Sequence, residues 1–288
     1  MKYDSRKFID LIRATTSKWA NWDPPREIKV GDIGKINRQT GEFDWQGNIY
    51  DESFQERFGD SLDINLQHAH LQPVRLERTD DYIAVSSRGV SVKVVDLSVG
   101  VDAHAAANVK LQVNCQFTSK CGAALVLYKP QLSCLPRDEQ LVRLLRKFHD
   151  ALNGKYIVTE VISCPAYVMV MSTQEGQDFY TSLDANVPVP SGIPVGGAAK
   201  ACWTASAVHG IWRSGHHTLP IYCPLYKLKQ PPPSLWQVIS GRRNDTTQSS
   251  LIENWEDASP PWDPLDDEGE EDQIYDAALE GEELDWEN

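Results

Sequence analysis

The sequence predicts an α+β fold: a twisted, mainly antiparallel sheet with long amphipathic hairpins, flanked by basic helices and followed by a poorly ordered acidic tail. Three observations support this prediction. Apolar and polar side chains alternate strictly through residues 95–117, two segments have the apolar periodicity of basic helices, and residues 251–288 are rich in acid. Strict alternation is typical of a strand, whereas apolar spacing of three and four residues is typical of a helix.

The composition is that of a globular protein with a core of ordinary size. Its 288 residues are 41% hydrophobic, which is enough for one or two domains. The first ten residues lack the apolar stretch of a signal peptide, and no run approaches the roughly 18 apolar residues of a membrane-spanning helix. We therefore expect a chain that is cytoplasmic when inactive. Six cysteines without a CxxC pair fit reduced, buried thiols.

The charge is divided unevenly along the chain. Residues 251–288 contain sixteen Asp and Glu and no Lys or Arg, whereas residues 1–250 carry 28 basic against 25 acidic side chains. The prolines at 231–233 begin a segment without periodicity. We therefore divide the chain into a body at residues 1–230, a linker at 231–250 and an acidic tail at 251–288.

The acidic tail has two interpretations. It is a solvated segment that adds solubility, or it is an internal competitor for something anionic that the body binds. Its aromatic residues favour docking, because a purely solvating tail needs no apolar anchors such as Trp255 and Trp262. In the second interpretation the tail is autoinhibitory until it is removed or displaced.

Two amphipathic helices with basic faces are expected, one at residues 5–20 and one at 136–152. A small hairpin is expected between them, at residues 31–52, where turn signals separate short strand candidates. Lysine and arginine near an anionic leaflet are attracted to it, so the helix cations are the candidate contacts with acidic phospholipids. These candidates are Arg6, Lys7, Arg13, Lys18, Arg143, Arg146 and Lys147.

The alternation at 95–117 is too long for an ordinary strand of about 5 to 6 residues and has the length of two membrane-crossing strands with a turn. A second alternating pair is expected from 155–172 and 199–211. Amphipathic strands usually pack one face on a soluble core, and this interpretation stays open. The predicted membrane-inserting residues are Val95, Leu97, Val99, Val101, Val109, Leu111, Val113, Phe117, Val168, Val170, Ala201, Trp203, Ala205 and Ala207.

These elements together suggest a mechanism. A protein can shield such strands in water with helices and its own sheet, and a membrane can replace that cover when several copies associate so that no backbone edge meets lipid. The basic helices would make the first contact, and the acidic tail would compete for their charges. The predicted sequence of events is docking, strand release and an oligomeric pore.

Several segments resemble the gasdermin family of pore-forming proteins, specifically its fungal members. KYIVTEVI at 155–162 resembles the strand after a helix of the gasdermin N-terminal domain, and IYCPLYKLKQ at 221–230 its closing strand. The segment GDIGKINRQTGEFDWQGNIYDE at 31–52 is similar to one in fungal members. The resemblance implies a gasdermin N-terminal-domain-like fold and a cytosolic precursor. This precursor would bind acidic lipids, form homo-oligomers, insert two β-hairpins per protomer into the plasma membrane and cause regulated cell death.

The resemblance also implies two routes of activation. One is removal of a short tail by a partner protease, for which Arg242 and Arg243 mark a candidate cleavage region, and the other is pairing with another variant without a cut. The trigger, the lipid preference and the number of copies stay open.

Catalytic signatures are missing from the sequence. The histidine pairs at 68 and 70 and at 216 and 217 lack ligand spacing for a metal, and no GxSxG context appears. We therefore expect no enzyme, metal, cofactor or nucleic-acid partner. Two alternatives stay open: a soluble β-rich interaction or ligand-binding module whose acidic tail recruits a partner, and a hydrolase whose catalytic groups meet only in space.

Overall fold

The structure is a computed structural model that describes residues 4–54, 66–96, 110–147, 152, 154–184, 200–203, 210–217, 219–230 and 255–266. Within these residues the strands form three antiparallel sheets, and the helices are few. The predicted mainly antiparallel sheet is therefore confirmed, and the few helices agree with an α+β fold. The helices are α1 (Asp4–Thr16), the 3-10 helix Ala69–Leu71 and α2 (Glu139–Lys147).

The described strands are numbered in chain order. They are β1 (Trp19–Ala20), β2 (Asp32–Ile36), β3 (Phe43–Asn48), β4 (Val74–Arg75), β5 (Tyr82–Ser86), β6 (Val90–Asp96), β7 (Lys110–Phe117), β8 (Gly122–Tyr128), β9 (Gln131–Cys134), β10 (Tyr156–Cys164), β11 (Ala166–Ser172), β12 (Gln177–Asp184), β13 (Lys200–Trp203), β14 (Gly210–His216), β15 (Tyr222–Gln230) and β16 (Glu256–Asp257).

The first sheet carries the small N-terminal hairpin and the end of the body. Its strand order is β1, β15, β10, β2, β3, and β16 also pairs with β15, while β9 joins β10 to β4. The hairpin expected at 31–52 is confirmed as β2 and β3. Its turn is closed by Asn37, whose side-chain oxygen accepts hydrogen bonds from the backbone N–H groups of Gln39 and Thr40.

The second and third sheets are made from the same bent strands. The second sheet has the order β14, β11, β8, β5 and the third the order β13, β12, β7, β6. Through described residues β5 continues into β6, β7 into β8 and β11 into β12. Two neighbouring hairpins therefore run through both sheets, and their inner strands pair along β8 with β11 and β7 with β12. We call these four bent strands the hairpin ribbon. Their described residues are 82–96, 110–128, 166–184, 200–203 and 210–216.

The second sheet lies between two apolar cores. Odd-numbered residues of β8 and β11, such as Leu125 and Met169, pack in a main core with α1 and the first sheet. Even-numbered residues of the same strands, such as Val126 and Val168, pack in a second core against residues of the third sheet. This period-two division shows that the third sheet is folded back onto the second, with apolar side chains between them.

The corner of the fold-back depends on glycines and polar side chains. A side chain at Gly122 would place its Cβ 2.3 Å from Val90 Cγ2, so glycine is needed for the close approach of the strands. Gly176 adopts φ +77° and donates its N–H to the carbonyl of Phe117 at 2.8 Å. Beside it, the buried Ser172 hydroxyl donates to Gln177 Oε1 at 2.8 Å. These contacts hold the bend in place.

The structure corrects the predicted second strand pair. Residues 155–172 are not one strand, because β10 ends at Cys164 and belongs to the first sheet, whereas β11 begins at Ala166 in the second. Pro165 stands between them and lacks the N–H that a continuous ladder would need. The outgoing strand of the second hairpin is therefore β11 with β12.

Candidate functional site

Helix α1 presents its first cations to the protein rather than to solvent. Its apolar face buries Phe8, Ile9 and Ile12 in the main core. Arg6 is 2% exposed and Lys7 is 6% exposed, so both side chains are covered in the closed protein, and their contact with lipid stays a prediction for the protein with its tail released. For Arg6, the covering group is Trp262 of the acidic tail.

The other two predicted cations of this region are also engaged. Arg13 donates from Nη2 to the carbonyl of Ala258 in the tail at 2.8 Å, and its guanidinium lies 5.3 Å from the ring of Trp19. Lys18 pairs with Glu160 of β10. In the closed protein Arg13 is therefore engaged by the tail and by Trp19, and Lys18 by Glu160, while the contact of both side chains with lipid stays a prediction.

Trp262 fills a specific pocket on α1 and is 6% exposed. Its indole Nε1 donates to the Asp10 carboxylate at 3.0 Å, the Arg6 guanidinium lies 4.8 Å from its ring, and Trp19 packs edge-on with a centroid distance of 6.0 Å. Gly41, at φ +75°, makes room, because a Cβ there would lie 3.1 Å from Trp262. Cation–π and edge-to-face contacts contribute about 0.5 to 2 kcal/mol each.

Asp10 is the partly buried acid that accepts the hydrogen bond from Trp262. Burial raises the pKa of its carboxyl, and the hydrogen bond from Trp262 together with the charges of Arg6, Arg13 and Lys7 opposes that rise. Because burial is the larger effect, the ionised carboxylate costs free energy in the folded state, and the tail's indole N–H offsets part of that cost.

The tail also extends the first sheet. In β16, Asp257 lies opposite Lys229 and Glu256 lies opposite Gln230 of β15. The Asp257 carboxylate lies 3.3 Å from Lys227 Nζ and 3.7 Å from Lys229 Nζ. Lys229 Nζ also donates to the carbonyl of Trp255 at 2.9 Å. Backbone pairing and charge pairing therefore act on the same short segment.

The tail prediction is confirmed in one respect and wrong in another. Residues 255–266 dock on the body, with Trp255, Ala258 and Trp262 in the main core, as the interleaved aromatics indicated. For these residues the expectation of poor order is wrong, because a strand and buried aromatics fix their position. Residues 267–288, the linker at 231–250, and Arg242 and Arg243 within it lie outside the described residues.

The hairpin ribbon confirms the alternating face for β7. Leu111, Val113, Cys115 and Phe117 are buried in the second core, and the residues between them are not. Burial raises the pKa of Cys115 to about 12, so this thiol is unreactive in the closed protein.

Val95 does not share that face. Cross-strand partners in an antiparallel pair lie on the same face, and Val94 is opposite Val113 whereas Val95 is opposite Gln112. Each even-numbered residue of β6 therefore lies opposite an odd-numbered residue of β7. Because the apolar face of β7 carries odd-numbered residues, the same face of β6 carries even-numbered ones. Val95 is 39% exposed, which corrects its assignment to the inserting face.

The remaining predicted inserting residues fall into three groups. Val168 and Val170 are buried in the second core, on the sheet that faces β7. Ala201 and Trp203 belong to β13, opposite Thr181 and Phe179. The others lie outside the described residues: Leu97, Val99, Val101, Val109, Ala205 and Ala207.

The second basic helix exists where it was expected, as α2. It buries Leu141, Leu144 and Leu145, in agreement with the predicted apolar stripe. Arg143, Arg146 and Lys147 belong to this helix, but their side chains lie outside what the structure describes, and their contact with lipid stays a prediction.

Sequence reasoning missed the fold-back of the hairpin ribbon. Its signals were the polar breaks in otherwise apolar strands, at 118–121 and 173–176, and the small residue at Gly122. Such breaks resemble ordinary hairpin turns, and only the pairing of β8 with β11 and β7 with β12 shows that they are bends within continuing strands.

In the described part of the chain, no three His, Cys, Asp or Glu side chains are grouped closely enough to hold a metal ion. The described helices are too short to cross a bilayer. No protein-family model matches the chain, and a search of curated proteins finds no relative.

Proposed function

We propose that this chain is a membrane-permeabilising protein of the gasdermin type, with a fungal-like short tail. It is held closed by that tail, binds acidic phospholipids once the tail is released, forms homo-oligomers and inserts its hairpins to open a pore in the plasma membrane. The expected outcome for the cell is regulated death. The precursor is cytoplasmic and has no enzymatic step in this scheme.

The fold-back of the hairpin ribbon is the observation that carries the proposal. Strands β7, β8, β11 and β12 have 8, 7, 7 and 8 residues, whereas a membrane-crossing strand needs about 9 to 11. Straightened at the corner, residues 110–128 and 166–184 would each form one strand of 19 residues. At about 3.3 Å per residue this exceeds the roughly 40 to 45 Å of a whole bilayer.

The energetics of opening also support insertion into lipid. The second core has apolar side chains from both sheets, among them Val113, Val126 and Val168. Opening it in water would therefore cost a free energy of about 25 cal/mol for each Å² of apolar surface exposed. Opening into hydrocarbon avoids that cost, because the membrane replaces the protein cover. Several copies must then pair their outer strands so that no backbone edge meets lipid.

The docked tail supports the regulation. Its residues engage Arg6, Arg13, Lys227 and Lys229, which are the kind of cations that an anionic leaflet attracts by about 1 kcal/mol each. Tail and membrane therefore compete for the same charges. Release by a protease in the linker, or displacement by a paired variant, would favour the membrane.

Dye release from vesicles tests the proposed function. A chain with a protease site introduced between residues 243 and 250 is cut, separated from its tail and added to phosphatidylserine vesicles. We expect the cut protein to release the dye and the uncut protein to retain it, because only the former presents its basic surface. Vesicles of phosphatidylcholine alone should stay intact in both cases.

A negative result would have a definite meaning. If the cut, folded protein leaves phosphatidylserine vesicles sealed, the pore-forming function is wrong. The soluble β-rich interaction module with an acidic tail would then be the better account.

A further inference from the structure

The tail occupies a groove that has the features of a peptide-binding site. We call it the docking groove and define it by α1, Trp19, Gly41 and the end of β15 at residues 227–230. We infer that this groove also binds the tail of a second copy of the chain, so that copies exchange their tails. The inference concerns protein–protein recognition and does not require the membrane function.

Backbone pairing gives the groove its first recognition element. Opposite residues 228–230, β15 offers an edge to which β16 adds as an extra strand. The N–H of Ala258 donates to the carbonyl of Leu228 at 3.0 Å, and the carbonyl of Ala258 accepts from Arg13 at 2.8 Å. Strand addition of this type depends on main-chain bonds for affinity and on side-chain pockets for specificity.

Side chains give the second recognition element. Two tryptophans seven residues apart, Trp255 and Trp262, are both buried in the body. Between them Asp257 meets Lys227 and Lys229. The groove therefore recognises an acidic strand flanked by two tryptophans, a pattern more specific than negative charge alone.

The tail of another copy has the same sequence and can make the same contacts in the docking groove, because docking uses only non-covalent contacts. All of these contacts are made by residues 255–262, and 24 residues separate Gln230 from Trp255. A link of that length reaches at most about 80 Å when extended. It permits docking on the same chain, which a millimolar effective concentration favours, and also docking on a neighbour when copies are crowded. Exchange of an identical element is a low-cost route to dimers.

The experiment uses the full chain with its own tail disabled. Asp257→Lys together with Trp262→Ala removes the ion pairs and the main anchor from the chain's own tail while leaving the groove unchanged. The probe is a fluorescein-labelled peptide of residues 251–268, and its anisotropy is measured without membranes. We expect the peptide to bind this variant at least about tenfold more tightly than it binds the wild-type chain, whose groove is filled.

Matched peptides and a milder variant complete the test. A probe peptide carrying Trp262→Ala should bind at least about tenfold more weakly, because it lacks the buried anchor. If circular dichroism shows that the double variant is unfolded, Asp257→Lys alone serves, since that side chain is half-exposed. The inference is overturned if folded acceptor shows no binding below about 1 mM peptide, the effective concentration of short linkers. It is also overturned if both peptides bind equally. Neither result depends on whether vesicles leak.

Discussion

Trp262→Ala in the full-length, uncut chain is expected to release dye from phosphatidylserine vesicles at least about tenfold faster than the wild-type protein. Truncation of a buried tryptophan costs about 3 to 5 kcal/mol, and each 1.4 kcal/mol changes an equilibrium tenfold. Here the lost contacts are those between the tail and α1, namely the Arg6 and Trp19 ring contacts and the hydrogen bond to Asp10. The substitution therefore weakens the docking of the tail on the body.

Trp45→Ala is the matched control for this variant. Trp45 is 54% exposed on β3 and lies outside the tail contacts, so its loss should leave the dye-release rate within about twofold of wild type. Equal rates for Trp262→Ala and the wild-type chain, in protein shown by protease sensitivity to have a released tail, would contradict the autoinhibitory role.

Val94→Lys, introduced into the Trp262→Ala chain, is expected to abolish the gained dye release. A lysine on the lipid-facing side of a membrane-crossing strand costs about 2 to 4 kcal/mol near the bilayer midplane. That cost reduces insertion by roughly 30-fold or more for each protomer, and an oligomer multiplies it. Val94 is only partly buried in the closed protein, so its replacement leaves the folded precursor largely intact.

The neighbouring position supplies the control. Val95→Lys adds the same charge one residue away, but Val95 lies with Gln112 on the polar face of the ribbon. Dye release should therefore persist in the Val95→Lys variant. Equal loss in both variants would show that β6 does not cross the membrane with Val94 towards lipid.

The sequence was sufficient for elements whose signal is local. The α1 periodicity, the β2 and β3 hairpin and the alternation through Val113 depend on neighbouring residues, and the structure contains each of them. The aromatic anchors of the tail were also visible as apolar residues that a solvating segment would not need.

The sequence was insufficient where the face or the burial of a residue depends on residues far away in the chain. The face of Val95 depends on its register with Gln112, and no pattern within β6 alone states that register. The burial of Arg6 depends on Trp262, more than 250 residues away in the chain. The bend at Gly122 could be identified only once the strands on both sides of it were seen to keep the same neighbours.

The most direct measurement of the central claim is the environment of residues 94 and 95 on membranes. An environment-sensitive dye is attached to Val94→Cys or Val95→Cys in a Trp262→Ala chain whose native cysteines are replaced by alanine, before phosphatidylserine vesicles are added. The opened ribbon predicts that the dye at 94 moves into hydrocarbon and is quenched by spin-labelled lipid, whereas the dye at 95 stays in water. Dyes that both remain in water while the vesicles leak would contradict insertion of the ribbon.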